Sequence, residues 1–178
     1  GMTRLLRDRG GLNGEQREKL DQVVTASDHL LNIVNDVLDL SKIEAGRFDL
    51  ELTPFAPREL LDKARLLIAD RLQARGLAFR IEADPLPPLL RGDETRLCQM
   101  LLNYLGNAVK FTDQGEVVLE ARLRAETGEG LLLEFAVTDT GCGIEPAILP
   151  RLFTAFEQAD SSATRRHSGT GLGLAINA

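Results

Sequence analysis

No stretch of this 178-residue sequence approaches the run of about twenty apolar residues that a helix needs to cross a bilayer, and no signal peptide is visible. The segment is therefore expected to be cytoplasmic, with no membrane contact of its own. Cysteine is scarce. Cys98 sits in a helical apolar pattern and Cys142 inside a glycine-rich loop, too few and too unrelated for a disulfide framework or a metal cluster. Basic blocks are missing as well, and with a net charge of −6 the electrostatics give no support for nucleic-acid binding. Histidine occurs only as His29 and His167, and there are no internal repeats. What remains is an ordinary globular composition, 43% hydrophobic and 27% charged, long enough for one domain plus an appendage.

The appendage is residues 1–45, which carry no strand signal. Residues 2–8 look like the tail of a helix and Arg9 to Leu12 like a turn. Asn13 with Gln16 three residues on resembles a capping box opening a second helix that runs to Ile43. Two apolar stripes follow, Leu20, Val24, Leu31, Val34 and Leu38 beside Val23, Leu30, Ile33, Val37 and Leu40. Their combined arc is too wide for a helix resting on one surface and suits a bundle with partners on two sides. A two-helix hairpin cannot bury both stripes, so a homodimer of four helices is expected.

Gly46 marks a shift to mixed elements over 46–178. Phe48, Leu50 and Leu52 alternate as a strand should. Pro57 suits a first helical position, and Gly76 a helix stop. Leu77, Phe79, Ile81 and Ala83 give another strand, and the proline-rich stretch from Pro85 to Leu89 a surface connection. A helix from Asp93 to Phe111 precedes two strands, Val117–Leu123 and Leu131–Val137, joined through Thr127 to Gly130. A short helix around Ala147 to Phe153 follows, then a polar stretch to Ser168. The order is not strict β-α alternation, which favours an α+β layer of helices on one face of a mixed sheet.

The chemistry is concentrated near the end of the chain. Asp139-Thr-Gly-Cys-Gly-Ile144 and Gly169-Thr170-Gly171-Leu172-Gly173-Leu174 bracket Phe153-Thr-Ala-Phe156. Glycine lets backbone approach a ligand closely, and successive N–H groups on such loops form anion-binding concavities. A carboxylate beside the first loop can accept a hydrogen bond from an exocyclic amine, so the pair suggests a base at one end and phosphates at the other. Upstream, Asn103 and Asn107 share one helix face with Lys110. Two carboxamides and an ammonium suit a hard cation and phosphate oxygens; read alone, they equally suit a solvated face. Leu97, Met100, Leu101, Leu105 and Val109 are expected on the buried side.

Together these residues resemble the sensor histidine kinases. Leu97 to Thr112 is similar to their N box, Asp139 to Ile144 to the G1 box, Phe153 to Phe156 to the F box and Gly169 to Leu174 to the G2 box. Leu38 to Gly46 resembles the end of their dimerisation helix, and Phe156 to Ser162 the lid of hybrid-type members. The resemblance implies a Bergerat-type α/β sandwich that binds ATP and Mg²⁺. It implies that Asp139 receives the adenine amino group while Gly141 and Gly143 turn beneath the base. It puts Asn107 on Mg²⁺, Asn103 in support and Lys110 near phosphate oxygens, with residues 169–173 closing over the triphosphate. Arg165 and Arg166 either reach the γ-phosphate or are solvated lid charges. Phe153 and Phe156 anchor the lid's base. Asn103 stands where hydrolysing relatives commonly carry a glutamate, and an amide is no general base. The γ-phosphoryl group is thus kept for transfer, with a response regulator receiver domain as the downstream partner.

Two departures qualify this. The phosphoacceptor histidine box is absent, since the chain starts just after its expected position; His29 and His167 read as residues without a chemical role. The chain also stops at Ala178, within the first turns of the helix after the G2 box, where the family's domain continues. It is expected to be a piece of a longer kinase, binding Mg·ATP without phosphorylating itself. A non-catalytic dimerisation module and an ATPase of the wider superfamily are the alternatives.

Overall fold

The computed structural model describes residues 13–45, 49–128 and 130–151. It opens with helix α1, Gly14–Glu44. The expected capping box is formed: the Gln16 N–H donates to Asn13 Oδ1 at 2.8 Å and the Asn13 N–H to Gln16 Oε1 at 3.1 Å. Much of the two apolar stripes is uncovered by the described residues. Val23, Leu30, Leu31, Val34, Val37 and Leu38 are all exposed, Leu30 by 61%.

After α1 come β1 (Thr53–Phe55), α2 (Pro57–Arg75), β2 (Ala78–Ala83), β3 (Leu90–Gly92), α3 (Glu94–Phe111), β4 (Glu116–Thr127) and β5 (Gly130–Asp139). Strands β2, β4 and β5 form one sheet in that order, β2–β4 parallel and β4–β5 antiparallel; β1 and β3 make a separate antiparallel pair. Phe79 and Ile81 of β2, Val117, Leu119 and Ala121 of β4, and Phe135 and Val137 of β5 face the helices. Against them pack Leu60, Leu61, Ala64, Ile68 and Leu72 of α2 and Cys98, Leu101, Leu105, Ala108 and Val109 of α3. Spacings of three and four residues put each set on one stripe. This is the expected α+β layering, helices on one face of a mixed sheet.

The opposite sheet face is charged and internally paired. Arg80 bonds Glu82 and Glu116, Arg122 bonds Glu82, Asp84 and Glu120, and Arg124 bonds Glu134.

Four details differ from the sequence reading. Leu50 and Leu52 lie outside any strand and are exposed, and Phe48 lies outside the described residues. Side chains claim that backbone instead: the Glu51 N–H donates to Asp93 Oδ2 at 3.1 Å and Arg91 Nε donates to the Leu52 carbonyl at 3.3 Å. The strand forms at Thr53–Phe55 because β3, unforeseen between the proline-rich connection and α3, pairs with it there. On α3, Cys98 is buried while Met100 is exposed, because the core stripe passes through 98, 101, 105 and 109. The short helix is a single 3₁₀ turn, Leu149–Arg151, within the described residues.

Asp93 holds two pieces of the fold at once. Its Oδ1 accepts from the Arg96 N–H at 3.0 Å, capping α3, while Oδ2 holds the Glu51 N–H. The Arg96 bond above all draws its pKa below the ordinary aspartate value. A folded pKa below the unfolded one means stability that is present above the ordinary aspartate range and lost as pH falls through the lowered value. Asp93→Ala should therefore cost about 1–2 kcal/mol in urea unfolding at neutral pH, the usual worth of a helix cap. The gap between the two proteins should shrink in acid, below the ordinary aspartate range. A gap unchanged well below that range would show that the carboxylate's charge is not what stabilises the cap.

Candidate nucleotide site at the junction of α3 and β5

Asn103, Asn107 and Lys110 lie on the side of α3 turned away from its core stripe, yet all three are half-buried. Neither carboxamide has a hydrogen bond to another described residue. Burial lowers the pKa of Lys110, whose ammonium lies 4.8 Å from the Phe111 ring centroid, within cation–π range.

The helix ends against the loop that carries the carboxylate. The Phe111 carbonyl accepts from the Cys142 N–H at 3.3 Å. Thr112, fully buried, donates its hydroxyl to Asp139 Oδ1 at 3.4 Å, and the Gly141 N–H donates to the same oxygen at 2.8 Å. Both bonds fall on Oδ1, so Oδ2 of the exposed Asp139 accepts none from the described residues. From the other side, Arg75 Nη1 donates to the Lys110 carbonyl at 3.1 Å and the Thr112 carbonyl at 3.3 Å. Carbonyls that a helix C-terminus leaves orphaned are thus satisfied by a side chain of α2 and a backbone N–H of the loop.

The two loop glycines have different reasons to be glycine. A Cβ on Gly141 would sit 2.4 Å from the Phe111 carbonyl oxygen and 2.8 Å from Asp139 Oδ1. Gly143 has open space around it but a φ of +71°, the left-handed region. One permits close approach, the other the turn.

The structure thus brings the asparagine–lysine face and the aspartate loop to one end of α3. A carboxylate with one oxygen fixed and one open is fitted to receive an amine hydrogen. Half-buried amides without partners, beside an ammonium, fit phosphate oxygens and a hard cation. Residues 153–178, with Arg165, Arg166, His167, both phenylalanines and all of 169–173, lie outside the described residues. So do residues 2–8 of the expected first helix and the expected turn at 9–12. Arg75 builds the site without a sequence signal, since an arginine at a helix end reads as solvated, and Thr112, the last residue of the N-box resemblance, reads otherwise only as a helix boundary. Only contacts spanning 27 and 35 residues of chain reveal them.

Gly141→Ala should destabilise the domain by about 1–3 kcal/mol, because the new methyl meets backbone oxygen that cannot move without breaking the junction. Gly143→Ala, strained only by its φ, should cost about 1 kcal/mol. Chemical denaturation of the two variants checks the order; the reverse order would mean that the junction is not tight.

Comparison with known proteins accounts for both halves of the chain. The family model described as histidine kinase-, DNA gyrase B-, and HSP90-like ATPase matches residues 92–177, and that of the His Kinase A (phospho-acceptor) domain matches residues 1–46. The sensory/regulatory protein RpfC of Xanthomonas campestris pv. campestris is 42% identical over 178 residues, covering 99% of this chain and 24% of its own length. The signal transduction histidine-protein kinase BarA of Escherichia coli K12 is also 42% identical over 178 residues, covering 99% of this chain and 19% of its own. The chain thus spans about a quarter or less of the length of these curated relatives. Among solved structures, full-length ShkA in complex with AMPPNP superimposes with a TM-score of 0.77 at 38% identity, over 99% of this chain and 35% of that one.

Proposed function

The chain belongs to the sensor histidine kinase family, and on that premise we propose that residues 46–178 are the ATP-binding catalytic portion of such a kinase. This portion transfers the γ-phosphoryl group of ATP to a histidine that this chain does not contain. The observation that carries the reading is the state of Asp139: Oδ1 is fixed by Thr112 and Gly141, which leaves Oδ2 as the acceptor for the adenine amino group. A base bound there places the phosphates along the Asn103–Asn107–Lys110 face. Asn107 holds Mg²⁺, Asn103 supports it, and Lys110 faces the phosphate oxygens. Bound Mg²⁺ would neutralise phosphate charge. Gly169, Thr170, Gly171, Leu172 and Gly173 close over the triphosphate, and Arg165 and Arg166 stabilise charge on the γ-phosphate. Asn103 cannot deprotonate water, so the phosphoryl group is conserved for transfer.

Residues 1–45 are the remainder of the dimerisation hairpin. Its partner is a second copy, because Val23, Leu30, Leu31, Val34, Val37 and Leu38, drawn from both stripes of α1, are exposed among the described residues. The phosphoryl group then passes to a response regulator receiver domain, in the cytoplasm. No helix among the described residues is long and apolar enough to cross a membrane.

Titration with a fluorescent ATP analogue and Mg²⁺ tests the pocket. Asp139→Ala should weaken binding by about tenfold or more, the worth of one hydrogen bond to a charged group. Circular dichroism establishes that the variant is folded. Equal affinity for parent and variant would refute the adenine assignment. Light scattering tests the hairpin: the parent should be dimeric, and Leu30→Glu with Leu31→Glu, two exposed α1 positions, should be monomeric with unchanged nucleotide affinity. A monomeric parent at high concentration would reject the bundle.

A further inference from the structure

Strand β2 is paired on one side only among the described residues, with β4. The Ala78 N–H donates to the Gly115 carbonyl and the Asp84 N–H to the Ala121 carbonyl, both at 3.0 Å. In a parallel ladder alternate residues bond the neighbour, so the backbone groups of Ala78, Arg80, Glu82 and Asp84 point to β4. Those of Phe79, Ile81 and Ala83 point outward. The same three residues form the floor of a cleft of about 350 Å³ that runs along this edge beneath the first half of α2. Leu61 closes its apolar wall, and Arg58 and Arg65 stand on its rim. Asp62 pairs with Arg65 at 3.2 Å, which leaves Arg58 without an ion-pair partner among the described residues. The rim is therefore net positive on a chain whose net charge is −6.

An open edge, an apolar floor and a positive rim coincide along one strand. We propose that this edge docks an extended acidic segment of a partner protein, which adds to the sheet as a strand beside β2. The segment's main chain pairs with the outward N–H and C=O groups of Phe79, Ile81 and Ala83, the mode in which backbone bonds give affinity and side-chain pockets give specificity. Alternate side chains of an added strand face the α2 side. There, aliphatic residues continue the row of Phe79 and Ile81, and a glutamate between them meets Arg58 and Arg65. Native edges are usually guarded by charge or a covering element. Here Arg80 and Glu82 sit on the far sheet face, already engaged with each other and with Glu116, Arg122 and their neighbours. Among the described residues the edge itself is guarded by the arginines, which select against basic partners.

The probe is the peptide Thr-Val-Thr-Glu-Thr-Val-Thr, with a control in which lysine replaces the glutamate, each added to the whole 178-residue protein. Binding is read by fluorescence anisotropy, and the site by amide hydrogen exchange. The acidic peptide should slow exchange at Phe79, Ile81 and Ala83, and the lysine peptide should bind about tenfold or more weaker, as loss of one close charge pair requires. Arg58→Glu with Arg65→Glu, both at exposed positions, should lose the acidic peptide by a similar factor and accept the basic one. Ala83→Pro deletes one outward N–H while sparing the ladder to β4, and should weaken both peptides with the rim intact. Equal affinity for the two peptides, or no binding up to millimolar peptide, overturns the proposal. So does binding that leaves those three amides unprotected. Protection that rises with protein concentration alone would assign the edge to a second copy of the chain, and likewise overturn it.

Discussion

The last carbonyls of α3 and the loop after β5 satisfy one another, and the candidate site exists only where they do. Phe111 offers its carbonyl to Cys142, and Thr112 offers its hydroxyl to Asp139. A helix C-terminus buried without partners would leave polar oxygen in an apolar setting, at about 1–3 kcal/mol per group. The fold answers that demand with the loop that follows Asp139. Gly141 follows from the same constraint, since a side chain there would collide with the Phe111 carbonyl. A glycine commonly read as room for a ligand is here first of all room for the helix end.

The rest of α3 is anchored in the same spirit. At its start Asp93 caps the helix and holds the Glu51 backbone; at its end Arg75, from α2, covers two carbonyls. The helix is thereby fixed along its length as well as by its buried stripe. This matters because Asn103, Asn107 and Lys110 project from the side away from the core, where packing alone would not set their position. A half-buried ammonium with a depressed pKa and two amides without hydrogen bonds to other described residues are thereby held in fixed positions on a rigid helix.

The two sheet faces divide labour. One carries the core; the other carries a lattice of arginines and carboxylates that are mutually paired and partly exposed, contributing little each to stability but keeping the face wet. The contrast with the cleft beside β2 is physical. On the outer face the charges have found partners within the sheet, whereas at the β2 edge Arg58 and the outward backbone groups of three residues have none among the described residues.

Much of this was legible from the residues. The capping box at Asn13 and Gln16, Pro57 and Gly76 as the bounds of α2, Asp93 opening α3 and the β4–β5 hairpin all follow from local chemistry, and local chemistry needs no tertiary context. The ordered asparagine, aspartate and glycine motifs likewise carried the resemblance to the sensor histidine kinases, because each is a run of neighbouring residues. What the sequence could not supply was everything settled by partners distant along the chain. The alternation of Leu50 and Leu52 suggested a strand, but Asp93 and Arg91 hold that backbone, and pairing moved to Thr53–Phe55. Nothing local marked Arg75 as a builder of the site or showed that Thr112 would bond Asp139, and no pattern showed which edge would lack a neighbour among the described residues. Composition and periodicity therefore determined the elements and their chemistry. Only the tertiary structure decided which orphaned backbone groups meet, because that choice depends on segments brought together across tens of residues.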